Sequence, residues 1–234
     1  MKKRVAILIS GRGSNMAALI SAAREPDYPA EIVGIISNRA DAAGLDIAGK
    51  AGFPTRTVSK TDHPTPQAHD AALEAALNEL GAELVCLAGY LRQLTPEFVR
   101  RWEGRIINIH PSLLPLFRGL DTHSKALDAG LRVHGCTVHF VTAELDAGPI
   151  IAQAAVPVEL ADTEDTLAAR VLRAEHRLYP IALRMVAEGK VRMEGGRPVF
   201  SPFATKDSSS DLILSPEPAS DGIADLESLA RFTP

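Results

Sequence analysis

Two polar side chains, Asn108 and His110, interrupt an apolar stretch at a position where they could do chemistry. They lie two residues apart, so on a β-strand they share one face while Ile107 and Ile109 share the other. Pro111 cannot donate a hydrogen bond to a neighbouring strand and restricts the residue before it, which predicts that the strand ends at His110. In a parallel sheet this would be a carboxyl end, where open α/β sheets bind ligands.

A third candidate, Asp146, lies in the acidic turn 144–149. Aspartate before Gly-Pro is common in turns, and a polar pair often simply closes a strand. Together, however, an amide, an imidazole and a carboxylate can stabilise an oxyanion and move a proton. We therefore predict that Asn108, His110 and Asp146 are catalytic, which requires the later turn to fold back beside the strand.

Two other kinds of site fit less well. A Ser-His-Asp hydrolase is disfavoured because Ser112 is only two residues from His110 and the chain lacks a G-x-S-x-G elbow. A zinc site would have to use His110, His123, His134 or His139, but their spacings match no H-E-x-x-H or Cys/His pattern. His134 and His139, five residues apart, would face opposite sides of a strand, so we predict no metal.

A glycine-rich turn, Ser10-Gly-Arg-Gly-Ser-Asn15, lies between an apolar segment and a predicted helix. The free amides and dipole at a helix start favour an anion there. The turn lacks the third glycine of G-x-G-x-x-G, the next strand ends near Ser37 without an acid, and no Gly-Lys-Ser/Thr follows. A cradle for one phosphate at Gly13, Ser14 and Asn15 remains, as does an ordinary turn capped by Ser14.

The order of predicted elements indicates a Rossmann-like α/β fold. Strands alternate with helices, which predicts a mostly parallel twisted sheet with helices on both faces and antiparallel additions in the C-terminal half. The predicted strands are 5–9, 32–37, 53–58, 83–88, 105–110, 134–141 and 149–158. The predicted helices are 16–24, 41–51, 66–80, 96–102, 121–129 and a long one capped by Thr163, followed by a hairpin at 191–200. We predict a catalytic domain over residues 1–200.

Composition narrows the possible partners. Residues 201–234 carry six acids and two bases, and the first 200 residues hold 23 of each, so we expect neither a nucleic-acid surface nor a membrane patch. The apolar run near the N-terminus is too short for a signal peptide. Cys86 and Cys136 lie in apolar runs and indicate free thiols in a reducing cytoplasm. The Ser-, Pro- and Asp-rich tail 201–234 is predicted to be mobile or loosely docked.

Three motifs resemble those of the folate-dependent formyltransferases, and they occur in matching order within residues 4–190. They are Ser10-Gly-x-Gly-Ser-Asn15, Asn108-Ile-His-Pro-Ser-Leu-Leu-Pro115 and His139-Phe-Val-Thr-x-Glu-Leu-Asp-x-Gly-Pro149. The wider family shares the Asn-x-His and the later Asp, whereas the Ser-Asn loop points to the branch acting on glycinamide ribonucleotide. The resemblance implies direct formyl transfer from 10-formyltetrahydrofolate to the amine of N1-(5-phosphoribosyl)glycinamide in purine (IMP) biosynthesis, without a metal or a covalent intermediate.

The resemblance also implies binding residues. The substrate phosphate would be held by Gly13, Ser14 and Asn15, and its ribose and amine end by Leu172, Arg173, Ala174 and Glu175. The folate would be lined by Leu91, Arg92, Gln93, Leu94, Asn108, Thr142, Ala143, Glu144 and Leu145. At a position after the third strand where the family can have an arginine, this chain has Pro66. We therefore expect the glutamate part of the folate to be held by another basic residue, or only loosely.

Three alternatives stay open at this point. Formyltetrahydrofolate deformylase uses similar chemistry but has an added amino-terminal domain, whereas here the first strand begins near Arg4. Methionyl-tRNA formyltransferase needs a carboxyl-terminal RNA-binding module, and the last 34 residues are short and acidic for that. A non-catalytic sensor of phosphate ligands is the third. The small-molecule reaction is compatible with either a monomer or a homodimer.

Overall fold

The computed structural model describes residues 1–201, which fold around one seven-stranded sheet in the order β3-β2-β1-β4-β5-β6-β7. The strands are β1 (Lys3–Ile9), β2 (Ala30–Ser37), β3 (Thr55–Thr57), β4 (Leu84–Leu87), β5 (Ile106–His110), β6 (Val133–Phe140) and β7 (Ile150–Pro157). β1 to β5 pair in parallel, and β6 and β7 are antiparallel additions. The predicted fold class is confirmed.

Helices cover both faces of the sheet. Within residues 1–201 the α-helices are α1 (Ser14–Ala23), α2 (Ala43–Lys50), α3 (Pro66–Glu79), α4 (Pro96–Arg101), α5 (Thr122–Asp128) and α6 (Glu164–Ala187). Val5, Ile7 and Ile9 of β1 pack into one apolar cluster with α1 and α6. Ala6 and Leu8 pack into a second cluster with α3 and α4. Burial on both faces explains why β1 is a continuous apolar run.

Local capping signals fix where several helices begin. Thr65 and Thr95 each accept a hydrogen bond from the amide three residues later, at 3.1 Å and 3.3 Å, and each precedes a proline at the first helical position. Thr163 caps α6 in a reciprocal box with Thr166. These predicted helix starts are confirmed.

Tyr179 anchors α6 over the middle of the sheet. Its buried hydroxyl hydrogen-bonds the carbonyl oxygens of Leu87 in β4, at 3.0 Å, and Ile107 in β5, at 3.1 Å. Glu175 lies one turn earlier on the same helix face. The tyrosine thereby holds that face of α6 over β4 and β5.

The chain ends its described part in a small hairpin of β8 (Val191–Glu194) and β9 (Arg197–Phe200). The predicted tail lies outside the described residues from position 202 onward. Cys86 and Cys136 are buried free thiols. Within residues 1–201, none of the helices has both the length and the apolarity to cross a membrane.

Candidate active site

A crevice of about 600 Å³ lies at the carboxyl ends of β4 and β5. Its walls bring together the three predicted catalytic residues, one residue of the glycine-rich turn and one residue of α6: Asn108, His110, Asp146, Asn15 and Glu175. A smaller recess of about 100 Å³ is also lined by Asn108 and Asp146. The site therefore has two compartments that share the residues between them.

His110 is the last residue of β5, as predicted, and both of its ring nitrogens face oxygen atoms. Nε2 donates a hydrogen bond to the carbonyl oxygen of Phe117 at 2.9 Å. Nδ1 lies 3.4 Å from Oδ2 of Asp146. Both sides of the ring are therefore held by oxygen atoms of the loops that follow β5 and β6.

Asp146 reaches His110 through an unusual backbone conformation. Its φ is +48°, in the left-handed region, which aspartate tolerates better than most residues. Its carboxylate also accepts a hydrogen bond from the amide of Gly119 at 2.9 Å, and Arg118 pairs with Glu144 at 2.6 Å. The segment after β5 and the later turn are thus tied together beside the crevice.

Asn108 is held by a residue that the sequence analysis did not place in the site, His139. The two residues are opposite each other in the antiparallel pair β5 and β6, and Asn108 Nδ2 donates to His139 Nε2 at 3.2 Å. His139 Nδ1 donates to the carbonyl oxygen of Phe140 at 2.8 Å, so a neutral ring accepts at Nε2. Burial lowers the pKa of His139, which favours this neutral form.

The arrangement leaves the Asn108 amide with a second N–H that His139 does not use. That N–H and the His110 ring lie on one face of β5, at the wall of the crevice. His134 lies apart from them, edge-on to His123 with ring centroids 5.4 Å apart. Among residues 1–201, no group of three or more His, Cys, Asp or Glu side chains is arranged to hold a metal ion.

The glycine-rich turn opens α1 with free backbone amides. Gly13 is the N-cap at φ +77°, and no side chain caps the helix. A Cβ on Gly13 would lie 3.0 Å from Gly44 Cα and from Met16 Cε, so both conformation and space require glycine there. Ser14 is the first helical residue and not the cap, which contradicts the alternative of an ordinary turn capped by Ser14. The amides of Ser14 and Asn15 therefore belong to an uncapped, positive helix end.

Asn15 connects this turn to α6. Its Nδ2 donates to Oε2 of Glu175 at 2.7 Å, and both side chains are buried. Burial raises the pKa of Glu175, and the hydrogen bond from Asn15 opposes that rise. The turn and the helix thus meet at a polar contact on the crevice wall.

Of the four α6 residues predicted to meet the ribose and amine, the structure brings only Glu175 to the crevice. Arg173 and Ala174 line a separate groove beside β7, and Leu172 is half-buried. Successive helical residues point about 100° apart, so four consecutive side chains cannot share one face.

The predicted folate residues gather mainly around the small recess. Eight of the nine line it: Arg92, Gln93, Leu94, Asn108, Thr142, Ala143, Glu144 and Leu145. Leu91 instead lines the larger crevice and is 75% exposed. Tyr90 and Val141, which the sequence analysis did not single out, also line the recess. Arg92 lies 3.7 Å from buried Asp70 and contacts the carbonyl oxygen of Pro66, so a cation is present next to that proline.

Comparison with known proteins identifies the family. Residues 3–183 match the family model described as formyl transferase. The chain belongs to the formyl transferase family. It is 43% identical to phosphoribosylglycinamide formyltransferase of Escherichia coli K12, over 81% of this chain and 89% of that protein. It is also 53% identical to the trifunctional purine biosynthetic protein adenosine-3 of Bos taurus, over 84% of this chain. The match covers only 20% of that longer relative's length.

Solved structures of this family share the fold. The crystal structure of phosphoribosylglycinamide formyltransferase from Brucella melitensis is 57% identical with a TM-score of 0.78, over 80% of this chain and 96% of that one. A formyltetrahydrofolate deformylase from Pseudomonas syringae is 28% identical with a TM-score of 0.78. That match covers 86% of this chain and 66% of the deformylase. The chain is therefore more similar in sequence to the Brucella transferase than to the Pseudomonas deformylase.

Proposed function

We propose that the protein transfers the formyl group of 10-formyltetrahydrofolate to the amine of N1-(5-phosphoribosyl)glycinamide. The products would be the formylglycinamide ribonucleotide and tetrahydrofolate, as a step of purine biosynthesis. The observation that carries this proposal is the meeting of an uncapped helix start and the Asn108, His110 and Asp146 group in one crevice. The names of the E. coli and Brucella relatives support it.

The two compartments suit the two substrates. The phosphate of the glycinamide ribonucleotide would bind the amides of Gly13, Ser14 and Asn15, and Glu175 would contact the ribose from α6. The folate would occupy the recess, with Arg92 as a cation for its glutamate in the absence of an arginine at position 66. The formyl carbon would then lie where the compartments meet, beside Asn108.

The chemistry follows from these positions. The neutral amine attacks the formyl carbon, and a new C–N bond forms as the carbonyl oxygen becomes an oxyanion. The free N–H of Asn108 donates a hydrogen bond to that oxyanion, and the Nε2–H of His110 would have to turn from the carbonyl oxygen of Phe117 to add a second donor. The amine then loses a proton, folate N10 gains one, and the bond from the formyl carbon to N10 breaks as the carbonyl re-forms. Asp146, whose Oδ2 lies 3.4 Å from His110 Nδ1, orients the imidazole for this sequence of steps.

One assay separates this function from its alternatives. Purified protein is mixed with 10-formyltetrahydrofolate, with and without glycinamide ribonucleotide, and tetrahydrofolate is followed by absorbance. The proposal expects product only when both substrates are present. Release of formate without the amine would indicate the deformylase reaction, the second candidate suggested by the Pseudomonas structure. Binding of the ribonucleotide without turnover would indicate a sensor.

The proposed reaction fits the remaining expectations about the protein. Its partners would be small molecules, its location the cytoplasm, and its state a monomer or a homodimer. The division into a catalytic domain over residues 1–200 and a tail over 201–234 also stays a prediction.

A further inference from the structure

Asp70 is a buried carboxylate that the proposed chemistry does not use. It lies on α3 with 1% of its surface exposed. Its Oδ2 accepts a hydrogen bond from the amide of Thr95 at 2.8 Å, directly before α4. Its Oδ1 is buried and accepts no hydrogen bond from the described residues. Because an aspartate is almost never fully buried unless a partner compensates its charge, this oxygen requires a cation nearby.

Two basic side chains face that oxygen. His69 Nδ1 lies 3.5 Å from Asp70 Oδ1, and Arg92 Nη2 lies 3.7 Å from it. His69 Nε2 donates to the carbonyl oxygen of Val58 at 2.8 Å, so in the neutral ring Nδ1 carries a lone pair and no proton. Burial lowers the pKa of His69, which favours that neutral ring. Arg92 therefore supplies the positive charge that compensates Asp70.

Arg92 extends from this buried contact to the two compartments of the site. Among the described residues it is the only lysine or arginine that lines either the recess or the larger crevice. Its side chain is 11% exposed. Nη2 also contacts the carbonyl oxygen of Pro66 at 3.4 Å, whereas Nε is buried without a hydrogen-bond partner in the described part of the chain. One side of the guanidinium is thus held by the protein, and at least one N–H donor remains for a ligand.

This arrangement favours a carboxylate as the ligand of Arg92. Guanidinium groups bind carboxylates through parallel N–H donors, and a group that is already held in place loses less entropy on binding. The folate of the proposed reaction carries its carboxylates on the glutamate and not on the ring system that bears the formyl group. Arg92 would therefore act on the glutamate and not on the reacting atoms.

We infer that Asp70 is a positioning residue, which holds the Arg92 guanidinium in the orientation that binds the glutamate carboxylate of the folate. This inference rests on the proposed function, because it requires a folate in the recess. Without the Asp70 carboxylate, Arg92 keeps its charge but loses the contact that orients it. Affinity for the glutamate then falls, while affinity for the rest of the folate does not.

Binding of two ligands to the full chain tests the inference without requiring turnover. Tetrahydrofolate and tetrahydropteroate, which lacks the glutamate, are compared by calorimetry under anaerobic conditions. We expect the wild type to bind tetrahydrofolate at least about tenfold more tightly, as one hydrogen-bonded charge pair would give. Asp70→Asn and Arg92→Gln should each reduce this ratio below about threefold and leave the affinity for tetrahydropteroate nearly unchanged. The double variant should give the same ratio as Arg92→Gln, because Asp70 acts through Arg92.

The matched control is Asp162→Asn. Asp162 is also a largely buried aspartate paired with an arginine, since its Oδ1 lies 2.9 Å from Arg170 Nη2, but it lies outside both compartments. This variant should keep the wild-type ratio. Urea unfolding checks that each variant is folded. If Asp70→Asn is not, Arg92→Lys replaces it, because a lysine keeps the charge without the planar group and should lose the ratio as well.

The possible failures are distinguishable. An unchanged ratio in Asp70→Asn or its replacement, or an equal loss of affinity for both ligands, would overturn the inference and leave Asp70 a residue of the fold only. Equal binding of both ligands by the wild type would also overturn it, although the folate site would stand. Binding of neither ligand by the wild type would overturn the proposed function, and the inference with it.

Discussion

Replacing Asn108 by aspartate is expected to lower kcat by about 10²- to 10³-fold. The wild-type amide donates one N–H to His139 at 3.2 Å and keeps the second for the oxyanion. A carboxylate has the same shape but no N–H, so both donations are lost. The loss of one donor to a developing oxyanion costs about 2.7–4 kcal/mol of transition-state stabilisation, which corresponds to the expected 10²- to 10³-fold fall in kcat. The aspartate oxygen would also face the lone pair of His139 Nε2.

The assay is steady-state turnover with both substrates at saturation, following tetrahydrofolate. Asn78→Asp is the matched control, because it makes the same amide-to-acid change on an exposed position of α3, outside the crevice. Affinity for glycinamide ribonucleotide, measured by calorimetry, should stay within about threefold of the wild type in both variants. A kcat of Asn108→Asp within threefold of the wild type would refute the role of Asn108 as an oxyanion donor.

Four further changes probe the rest of the site and the fold. His110→Ala should abolish transfer yet keep affinity for the ribonucleotide in calorimetry, and wild-type rates would remove His110 from the chemistry. Asp146→Asn should lower turnover and alter its dependence on pH; an unaltered pH–rate profile would reduce Asp146 to a turn residue. Gly13→Ala should lower the free energy of unfolding in urea by about 1–2 kcal/mol and weaken ribonucleotide binding, because an alanine is strained at the Gly13 φ of +77°. An unchanged free energy of unfolding would contradict this backbone strain. Burial lowers the pKa of His134 to about 4. Between about pH 6.5 and 4 the unfolded chain therefore binds more protons at this residue than the folded chain does. The free energy of unfolding consequently falls as the pH drops through that window. His134→Gln should flatten this fall in unfolding experiments at several pH values, and an equally steep fall would assign it to other groups.

The sequence predicted the fold well where the signals are local. Thr65-Pro66 and Thr95-Pro96 determine helix starts through contacts that span three residues, and Pro111 ends β5 directly after His110. Such rules depend only on backbone chemistry near one position. The parallel direction of β1 to β5, though not their order in the sheet, follows from the alternation of strands and helices.

The parts that were missed depend on contacts between distant elements. His139 joins Asn108 only because β6 runs antiparallel to β5 in a particular register, and alternation along one strand does not reveal the register. The resemblance gave a continuous range of α6 residues and did not say which helix face they occupy. In the structure Glu175 lines the crevice, whereas Arg173 lines the separate groove beside β7. The pairing of Asn15 with Glu175 across the core likewise has no local signal.

The most direct test of the central claim follows the formyl carbon itself. The protein is incubated with 10-formyltetrahydrofolate labelled with ¹³C in the formyl group and with glycinamide ribonucleotide, and the products are observed by NMR. Direct transfer to the amine predicts that the label appears in the formamide of the ribonucleotide product, in amounts equal to the tetrahydrofolate formed. Label recovered as formate, or no movement of label with both substrates bound, would contradict formyl transfer by Asn108, His110 and Asp146.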